Sequence, residues 1–185
     1  MKIRKYIFLA AAALISASWL TSCLSDEDDS FDYKAWKNQN ETFYIRMMDS
    51  VAPDGNKVFE KITPVWAPGV NVLAQWHNDT TLTSGSLVPM DNSTVDVVYD
   101  CSYIDGVLLD SSARNNADSI YSCKPNENIV GFWAMLTRMH VGDSVTCIIP
   151  SDAAYGASNS RIKPYSALIY HMKLKAIKAY EVSGK

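Results

Sequence analysis

The first patterned stretch of apolar and polar residues predicts an amphipathic helix. Within residues 31–51, large apolar side chains recur at spacings of three and four residues, which places them on one face of a helix. These positions are Trp36, Phe43, Tyr44, Met47, Met48 and Val51. The turn-forming residues 53–55 end the pattern. Such a helix either packs against the rest of the chain or lies on a partner, and the pattern is compatible with both.

Alternation of apolar and polar residues predicts strands in the remainder of the chain. The clearest alternation runs through residues 95–103, and Asp105 with Gly106 indicates a tight turn into a returning strand at residues 107–109. Further strands are predicted at residues 57–63, 70–77, 145–149 and 168–174. The polar residues 78–86 are predicted to form a loop or a wide hairpin turn.

One short helix is predicted between the hairpin and the last strands. Phe132, Met135, Leu136 and Met139 fall at helical spacing, and Gly142 is typical of a helix end, which predicts a helix over residues 132–140. The order of hairpin, helix, strand, long loop and strand favours an α+β fold, in which an antiparallel sheet wraps on a single helix. The residues before it add an N-terminal helical extension.

Residues 1–22 have the layout of a secretory signal peptide. Three basic residues precede an apolar run at residues 6–15, which is too short to span a bilayer. The ending Leu-Thr-Ser-Cys, at residues 20–23, resembles a bacterial lipobox, in which the cysteine is acylated and becomes the mature N-terminus. Cys23 is therefore expected to anchor the protein to the outer membrane within the cell envelope. The alternative is an ordinary cleaved signal followed by an incidental cysteine.

A run of acidic residues follows Cys23. Residues 24–30 are either a solvated tether or resemble the acidic surface-export signal of some Gram-negative lipoproteins, and the sequence leaves both open. The chain is accordingly divided into a signal peptide at 1–22, a lipidated acidic tether at 23–34, a helical segment at 35–56 and a sheet domain at 57–185.

Composition and charge exclude several classes of protein. The 185 residues are 48% hydrophobic and 20% charged, as in an ordinary globular domain, and this argues against long disorder. A formal net charge of −3 argues against nucleic acid as a partner, because such binding needs clustered Lys and Arg. Removal of residues 1–22 takes away three positive charges, so the mature chain is more acidic still.

The cysteines beyond Cys23 and the histidines do not form a metal motif. They are Cys101, Cys123, Cys147, His77, His140 and His171. No CxxC pair and no close Cys/His pair occurs among them, so no metal site is expected. The three thiols are expected to act as small buried hydrophobic groups.

Three stretches resemble the FKBP-type peptidyl-prolyl isomerases, in order and with nearly that family's spacing. They are VDVVYDCSYIDGVLLDSS at residues 95–112, NIVGFWAMLTRMHVGDSVTCIIPSDAAYG at 128–156 and IKPYSALIYHMKLKAI at 162–177. From the first stretch to the last, the match covers about half of the chain. The most specific pieces are Tyr99 with the Asp-Gly turn and residues 110–112, and the series Ile-Pro-x-x-x-Ala-Tyr-Gly at 149–156. The resemblance implies that residues 57–185 form an FKBP-like half-barrel.

The resemblance also implies an aromatic cup for a proline ring. Phe132 would be its floor, where the family usually has tryptophan, and Tyr99 and Tyr170 would be walls. Leu109 stands where an aromatic ring is common. A further phenylalanine of the family falls at Ser119 or Tyr121.

Polar groups around the cup would hold the substrate. By the same resemblance, the Ile129 backbone N–H and the Tyr155 hydroxyl would hold substrate carbonyls. Asp110 would accept a hydrogen bond from a wall group such as Tyr99 and orient the twisted amide by its field. This chemistry requires no cofactor.

The function implied is a weak X–Pro isomerase that assists the folding of exported proteins and acts on their proline-containing segments. It is expected to be weak because Phe132 and Leu109 make the cup shallower. The alternative is a catalytically inactive FKBP-like lipoprotein that binds a peptide or a protein in the same groove. A purely structural envelope lipoprotein would show neither turnover nor peptide binding.

Overall fold

The computed structural model describes residues 31–157 and 162–180. The predicted signal peptide, the predicted acylation of Cys23 and the acidic residues that follow it lie outside the described residues. From Asp32 onward the chain forms one compact unit. Among the described residues, no helix has the length and hydropathy needed to cross a bilayer.

The first helix, α1, spans Tyr33–Asp49 and confirms the helix expected in this segment. The Asp32 side chain accepts hydrogen bonds from the backbone N–H groups of Lys34 and Ala35, which begins the helix two residues before the expected residue 35. At the other end, the Ser50 hydroxyl donates to a carbonyl of the last turn. These caps explain why a helix with few buried residues is stable here.

The helix packs against the domain, which settles the question left open by its pattern. Its buried residues are Trp36 and Asn40, so the expected apolar face is only partly right. Val51 lies beyond the helix and is exposed. Hydrogen bonds replace much of the expected apolar packing, because Asn40 accepts the Ala167 backbone N–H and the Tyr44 hydroxyl donates to the Asn71 carbonyl.

Seven antiparallel strands form one sheet. They are β1 Glu60–Ile62, β2 Val72–Trp76, β3 Thr94–Tyr103, β4 Leu108–Ser111, β5 Tyr121–Cys123, β6 Ser144–Ile149 and β7 Leu168–Ala179. Their order is β1-β2-β6-β7-β3-β4, and β5 pairs with β3 beyond the end of β4. The predicted hairpin is confirmed as β3 and β4, whereas the three-residue strand β5 was not expected.

Three short α-helices and two single 3₁₀ turns complete the secondary structure of the described residues. The helices are α2 Thr80–Thr83, α3 Ser112–Asn115 and α4 Val130–Leu136, and the 3₁₀ turns are Pro125–Glu127 and Ser151–Ala153. The residues expected to be a polar loop at 78–86 therefore contain one helical turn. The fold has more short helices than the single one expected, but α4 is the one that lies against the sheet core.

The predicted helix at residues 132–140 begins earlier and ends earlier than expected. After Leu136 the backbone tightens, because the N–H of Arg138 bonds the carbonyl three residues before it. The buried carboxylate of Asp143 then accepts the backbone N–H of His140 at 2.7 Å, which directs the chain into β6. Met139 lies past the helix end and is nevertheless fully buried.

The core lies between α4 and the concave face of the sheet. A Cβ added at Gly131 would overlap the Ile149 side chain on β6, so glycine allows the helix backbone to approach this strand closely. The close approach places the next residue, Phe132, deep in the fold with 3% of its surface exposed. The position of α4 on the sheet therefore sets the depth of any cup that Phe132 floors.

The three cysteines of the domain are free and buried, as expected for small hydrophobic groups. Cys101 lies on β3, Cys147 on β6 and Cys123 on β5. Burial raises the pKa of the Cys101 and Cys123 thiols to about 11, and it raises that of Cys147 as well. The thiols are therefore protonated and packed rather than poised for chemistry.

Candidate active site

Four aromatic rings from four elements meet at the concave face. Tyr99 of β3 lies 5.5 Å from Tyr121 of β5, 5.7 Å from Phe132 of α4 and 5.8 Å from Tyr170 of β7, measured between ring centroids. Phe132 and Tyr170 are 5.3 Å apart, and three of the four contacts are edge-to-face. Alternation on β3 and β7 turns both tyrosines to the face that α4 covers.

The rings border a cavity of about 300 Å³. Its lining residues are Tyr99, Asp110, Tyr121, Glu127, Asn128, Ile129, Phe132, Tyr155 and Tyr170. Six of the seven residues expected at the site in the described part of the chain are in this set. The seventh, Leu109, is half-buried against the core and does not line the cavity.

A short hydrogen bond joins a wall of the cup to its carboxylate. The Tyr99 hydroxyl donates to Asp110 Oδ2 at 2.6 Å. The other carboxylate oxygen accepts from the Ser111 backbone N–H at 2.8 Å and from Asn115 Nδ2 at 2.7 Å. The three donors fix the orientation of the carboxylate at the cavity edge. This is the pairing that the sequence resemblance implied for Asp110.

The tyrosine hydroxyls of the cup remain protonated at neutral pH. Burial, followed by the hydrogen bond to Asp110, raises the pKa of Tyr99 above its ordinary value. Burial likewise raises the pKa of Tyr170 and of Tyr121. The walls therefore offer uncharged rings to a bound group, and the hydroxyls of Tyr99 and Tyr121 donate within the protein.

Ile129 and Tyr155 stand at the rim. Ile129 is the N-cap residue of α4, and its carbonyl accepts the first helical hydrogen bond, from Trp133 at 3.0 Å. Tyr155 follows the turn Ser151–Ala153, where the Gly156 N–H donates to the Ser151 carbonyl at 2.7 Å. Gly156 has φ +67°, which favours glycine and turns the chain back immediately after Tyr155. The Tyr155 ring remains 42% exposed.

The structure resolves the position of the further ring and adds residues that the sequence did not indicate. Tyr121 lines the cavity, whereas Ser119 lies in a turn with φ +60° and does not. The Tyr121 hydroxyl donates to Asn128 Oδ1 at 3.2 Å, and Asn128 Nδ2 donates to the carbonyl of Lys124, the residue before the 3₁₀ turn. Glu127 adds a carboxylate to the rim. The only sequence signal for this side was a strand-forming tyrosine in a segment too short to show alternation.

The arrangement suits the enclosure of a small apolar group. No cluster of three potential metal ligands occurs among the described residues. The floor and walls are rings, and the rim carries a backbone N–H, a phenol and two carboxylates. Such a cup can enclose a small apolar ring and hold the carbonyl groups on either side of it.

Comparison with known proteins identifies the domain. Residues 85–175 match the family model described as FKBP-type peptidyl-prolyl cis-trans isomerase. The chain is 34% identical over 97 residues to the macrophage infectivity potentiator of Trypanosoma cruzi, and the aligned residues cover 51% of this chain and 48% of that protein. The chain therefore spans about half the length of this curated relative.

Solved structures share the fold. A crystal structure of a peptidyl-prolyl cis-trans isomerase from Pseudomonas syringae pv. tomato matches with a TM-score of 0.62 and 23% identity, over 80% of this chain and 96% of that one. FkpA from Escherichia coli matches with a TM-score of 0.63 and 21% identity, over 80% of this chain and 61% of that one. These likenesses confirm the expected antiparallel α+β half-barrel. Through residues 85–175, the chain belongs to the family of FKBP-type peptidyl-prolyl cis-trans isomerases.

Proposed function

We propose that this protein is a peptidyl-prolyl cis–trans isomerase that acts on proline-containing segments of exported polypeptides. The observation that carries the proposal is the cavity of about 300 Å³ in which the ring cluster meets the Tyr99–Asp110 pair. Family membership supports it, as does the peptidyl-prolyl isomerase of similar fold from Pseudomonas syringae. The reaction needs no bond to be broken, and the site offers no activated nucleophile.

The barrier to this reaction is amide resonance. Rotation about an X–Pro bond costs about 20 kcal/mol because the C–N bond has partial double-bond character. In the twisted state this character is lost, and the amide is less polar than in either planar state. A water-poor cup therefore stabilises the twisted amide relative to the planar one. About 1.4 kcal/mol of such differential stabilisation raises the rate tenfold.

The rings supply the enclosure. The proline ring would lie on Phe132, which is 3% exposed, between the walls formed by Tyr99 and Tyr170. These contacts exclude water from the prolyl nitrogen and leave the preceding carbonyl free to rotate. Leu109 packs against the core and adds no wall to the cavity, which is consistent with weak turnover.

The polar rim supplies orientation. The Ile129 N–H and the Tyr155 hydroxyl are proposed to hold substrate carbonyls on either side of the proline. Asp110, fixed by three donors, directs its negative field at the carbon of the rotating carbonyl. Holding the flanking segments still makes the X–Pro bond the one that rotates.

The test is exchange between the cis and trans forms of an Ala-Leu-Pro-Phe peptide, followed by NMR with the mature chain. The proposal is supported if the wild type catalyses exchange and Asp110→Ala lowers the catalysed rate. The control variant Asp118→Ala, on an exposed turn, should leave that rate unchanged. Unchanged exchange relative to buffer would contradict it.

A second candidate is a binding module without turnover, and the position of Leu109 outside the cavity lining favours it. It predicts that the same peptide binds, as seen by shifts of its proline signals, while its cis–trans exchange stays at the uncatalysed rate. A chain that neither binds nor turns over the peptide would contradict both candidates and leave a structural envelope protein.

We further propose that acylated Cys23 anchors the protein to the outer membrane of the cell envelope, and the lipobox-like residues 20–23 support this. Cys23→Ala should abolish labelling with radioactive palmitate and release the protein from membranes, whereas Ser22→Ala should retain both. Normal labelling of Cys23→Ala would contradict the anchor. Digestion of intact cells by protease tests whether the acidic run 24–30 directs the domain to the cell surface.

A further inference from the structure

The helix α1 lies outside the residues that match the family, yet it is bonded to the loop that carries Tyr155. This loop leaves β6 at Pro150 and returns to β7 at Ala167, and its described parts are an outgoing arm, residues 150–157, and a return arm, residues 162–167. Tyr155 lies on the outgoing arm. The contacts from α1 are made to the return arm.

Asn40 is the central link between α1 and the return arm. Its side chain is 2% exposed, and its Oδ1 accepts the Ala167 backbone N–H at 2.8 Å. Its Nδ2 donates to the Trp36 carbonyl at 2.8 Å, so both ends of the amide are held. Trp36 adds a second link, because its indole N–H donates to Ser166 Oγ at 3.0 Å.

The return arm is in turn bonded to the residue that follows Tyr155. The Tyr165 N–H donates to the Gly156 carbonyl at 2.9 Å, and the Gly156 N–H donates to the Ser151 carbonyl at 2.7 Å. Two steps therefore connect α1 to the backbone beside the Tyr155 ring: Asn40 to the return arm, and the return arm to Gly156.

Tyr165 has an unusual backbone at this junction. Its φ is +59°, in the left-handed region that residues with a Cβ rarely adopt. Such a conformation persists only where the surroundings determine it. Here the two residues that follow Tyr165, Ser166 and Ala167, are constrained by their bonds to α1, and Lys37 Nζ lies 5.1 Å from the Tyr165 ring centroid.

We propose that Asn40 of α1 is a positioning residue for Tyr155. It fixes the return arm, and the return arm holds Gly156, so that the Tyr155 hydroxyl stays at the rim where a substrate carbonyl binds. The inference rests on the proposed isomerase function for the role of that hydroxyl. It differs from a general stabilising role for α1, because a positioning residue acts on turnover only while the Tyr155 hydroxyl is present.

A double-mutant cycle in the mature chain separates the two roles. Asn40→Ala should lower kcat/KM for the Ala-Leu-Pro-Phe peptide about fivefold, and it should change it less than about 1.5-fold when Tyr155→Phe is already present. Asn38→Ala is the matched control, since Asn38 is exposed on the same helix, and it should leave kcat/KM unchanged. Equal losses in both backgrounds, or no loss in either, would overturn the proposal.

A second measurement does not need turnover. Hydrogen exchange at the Gly156 and Tyr165 amides should accelerate about tenfold in Asn40→Ala relative to Asn38→Ala, while amides in β3 exchange as before. Unchanged exchange at Gly156 would overturn the proposal even in an active enzyme. If the wild type shows no catalysed exchange of the peptide, the proposed function fails, and the hydrogen-exchange comparison still decides whether α1 fixes the loop.

A second variant, Tyr165→Gly, tests the same link with Asn40 in place, so that the test does not depend on the folding of Asn40→Ala. Glycine adopts φ +59° without strain and keeps the backbone bond to Gly156, but it gives up the contact with Lys37 and lets the arm leave this conformation. We expect a two- to threefold loss of kcat/KM that again disappears beside Tyr155→Phe. A loss that persists there would count against positioning.

Discussion

Two neighbouring residues of α4 carry large rings to different faces of the helix, with different results. Phe132 is buried and meets Tyr99 and Tyr170 at 5.7 and 5.3 Å, and the contacts are edge-to-face. Trp133 lies on Trp66 with ring centroids 3.7 Å apart and planes inclined by 21°. Trp66 remains 42% exposed.

The difference shows that ring geometry decides whether neighbouring rings enclose a cavity between them. In an edge-to-face contact the edge of one aromatic ring meets the face of another, so several such contacts in a closed series can surround a cavity. A parallel stack covers one face of each partner and leaves no space between them. The Trp133 indole N–H is also occupied, because it donates to Asp91 Oδ1 at 2.7 Å. The two sides of α4 should therefore respond differently to substitution.

The largest contrast is expected in stability. Phe132→Ala should lower the free energy of unfolding by about 3–5 kcal/mol, because it leaves a cavity in a core that cannot collapse around α4. Trp133→Ala should cost about 1–2 kcal/mol, since a half-buried stack gives up less contact. Urea unfolding followed by circular dichroism measures both. Equal losses would show that the two sides are not different in the way described.

The next contrast concerns turnover. Tyr155→Phe and Asp110→Ala should each lower kcat/KM about tenfold, because each removes a group that orients the twisted amide, a loss of about 1.4 kcal/mol. Asp91→Ala removes a carboxylate of the same kind from the Trp133 side and should leave kcat/KM unchanged. Peptide exchange measured by NMR compares the three variants. A loss in Asp91→Ala as large as that in Asp110→Ala would break the comparison.

A smaller effect sharpens the role of the floor. Phe132→Trp should raise kcat/KM a few-fold, since a larger ring encloses more of the proline, and an aromatic contact is worth on the order of 1 kcal/mol. Trp66→Ala changes a ring on the other side of α4 and should have no effect on turnover. If Phe132→Trp restores nothing in a chain that binds peptide without turning it over, the binding-module function replaces the isomerase.

The smallest expected effect is that of pH on the cup. The pKa of Tyr99 is raised by burial and by Asp110, so its hydroxyl keeps donating, and kcat/KM should be flat between about pH 7 and pH 9. The stability contributed by the raised tyrosines is fully present below their ordinary pKa and is lost as pH rises above about 10. Chemical unfolding at a series of pH values checks this sign. Stability that rises above pH 10 would contradict it.

Much of the sheet could be predicted because its strands alternate over several residues. Val95, Val97 and Tyr99 turn to one face of β3, and the turn at Asp105 and Gly106 fixes the hairpin. The strand β5 could not be found in this way, since three residues show no period. The end of α4 was also missed, because the backbone tightens after Leu136 while the buried side chain of Met139 continues the helical spacing of apolar residues.

The site was predictable where the family's motifs mark it and unpredictable elsewhere. Tyr99, Asp110 and Tyr155 occur in recognisable series, and the structure brings them to one cavity. Glu127 and Asn128 precede α4 in a polar segment without a distinctive pattern. The partner of Asn40 lies 127 residues away along the chain, so no local pattern could indicate it.

The buried cysteines make local unfolding of the domain measurable by alkylation. A thiol with a pKa of about 11 inside the fold reacts with an alkylating reagent only while the backbone around it is open. Cys123 lies on the short strand β5 beside β3, whereas Cys147 lies on β6, between β2 and β7. The rate of alkylation of Cys123 therefore reports how often one edge of the cup unfolds. The rate of alkylation of Cys147 reports the rarer opening of the whole sheet.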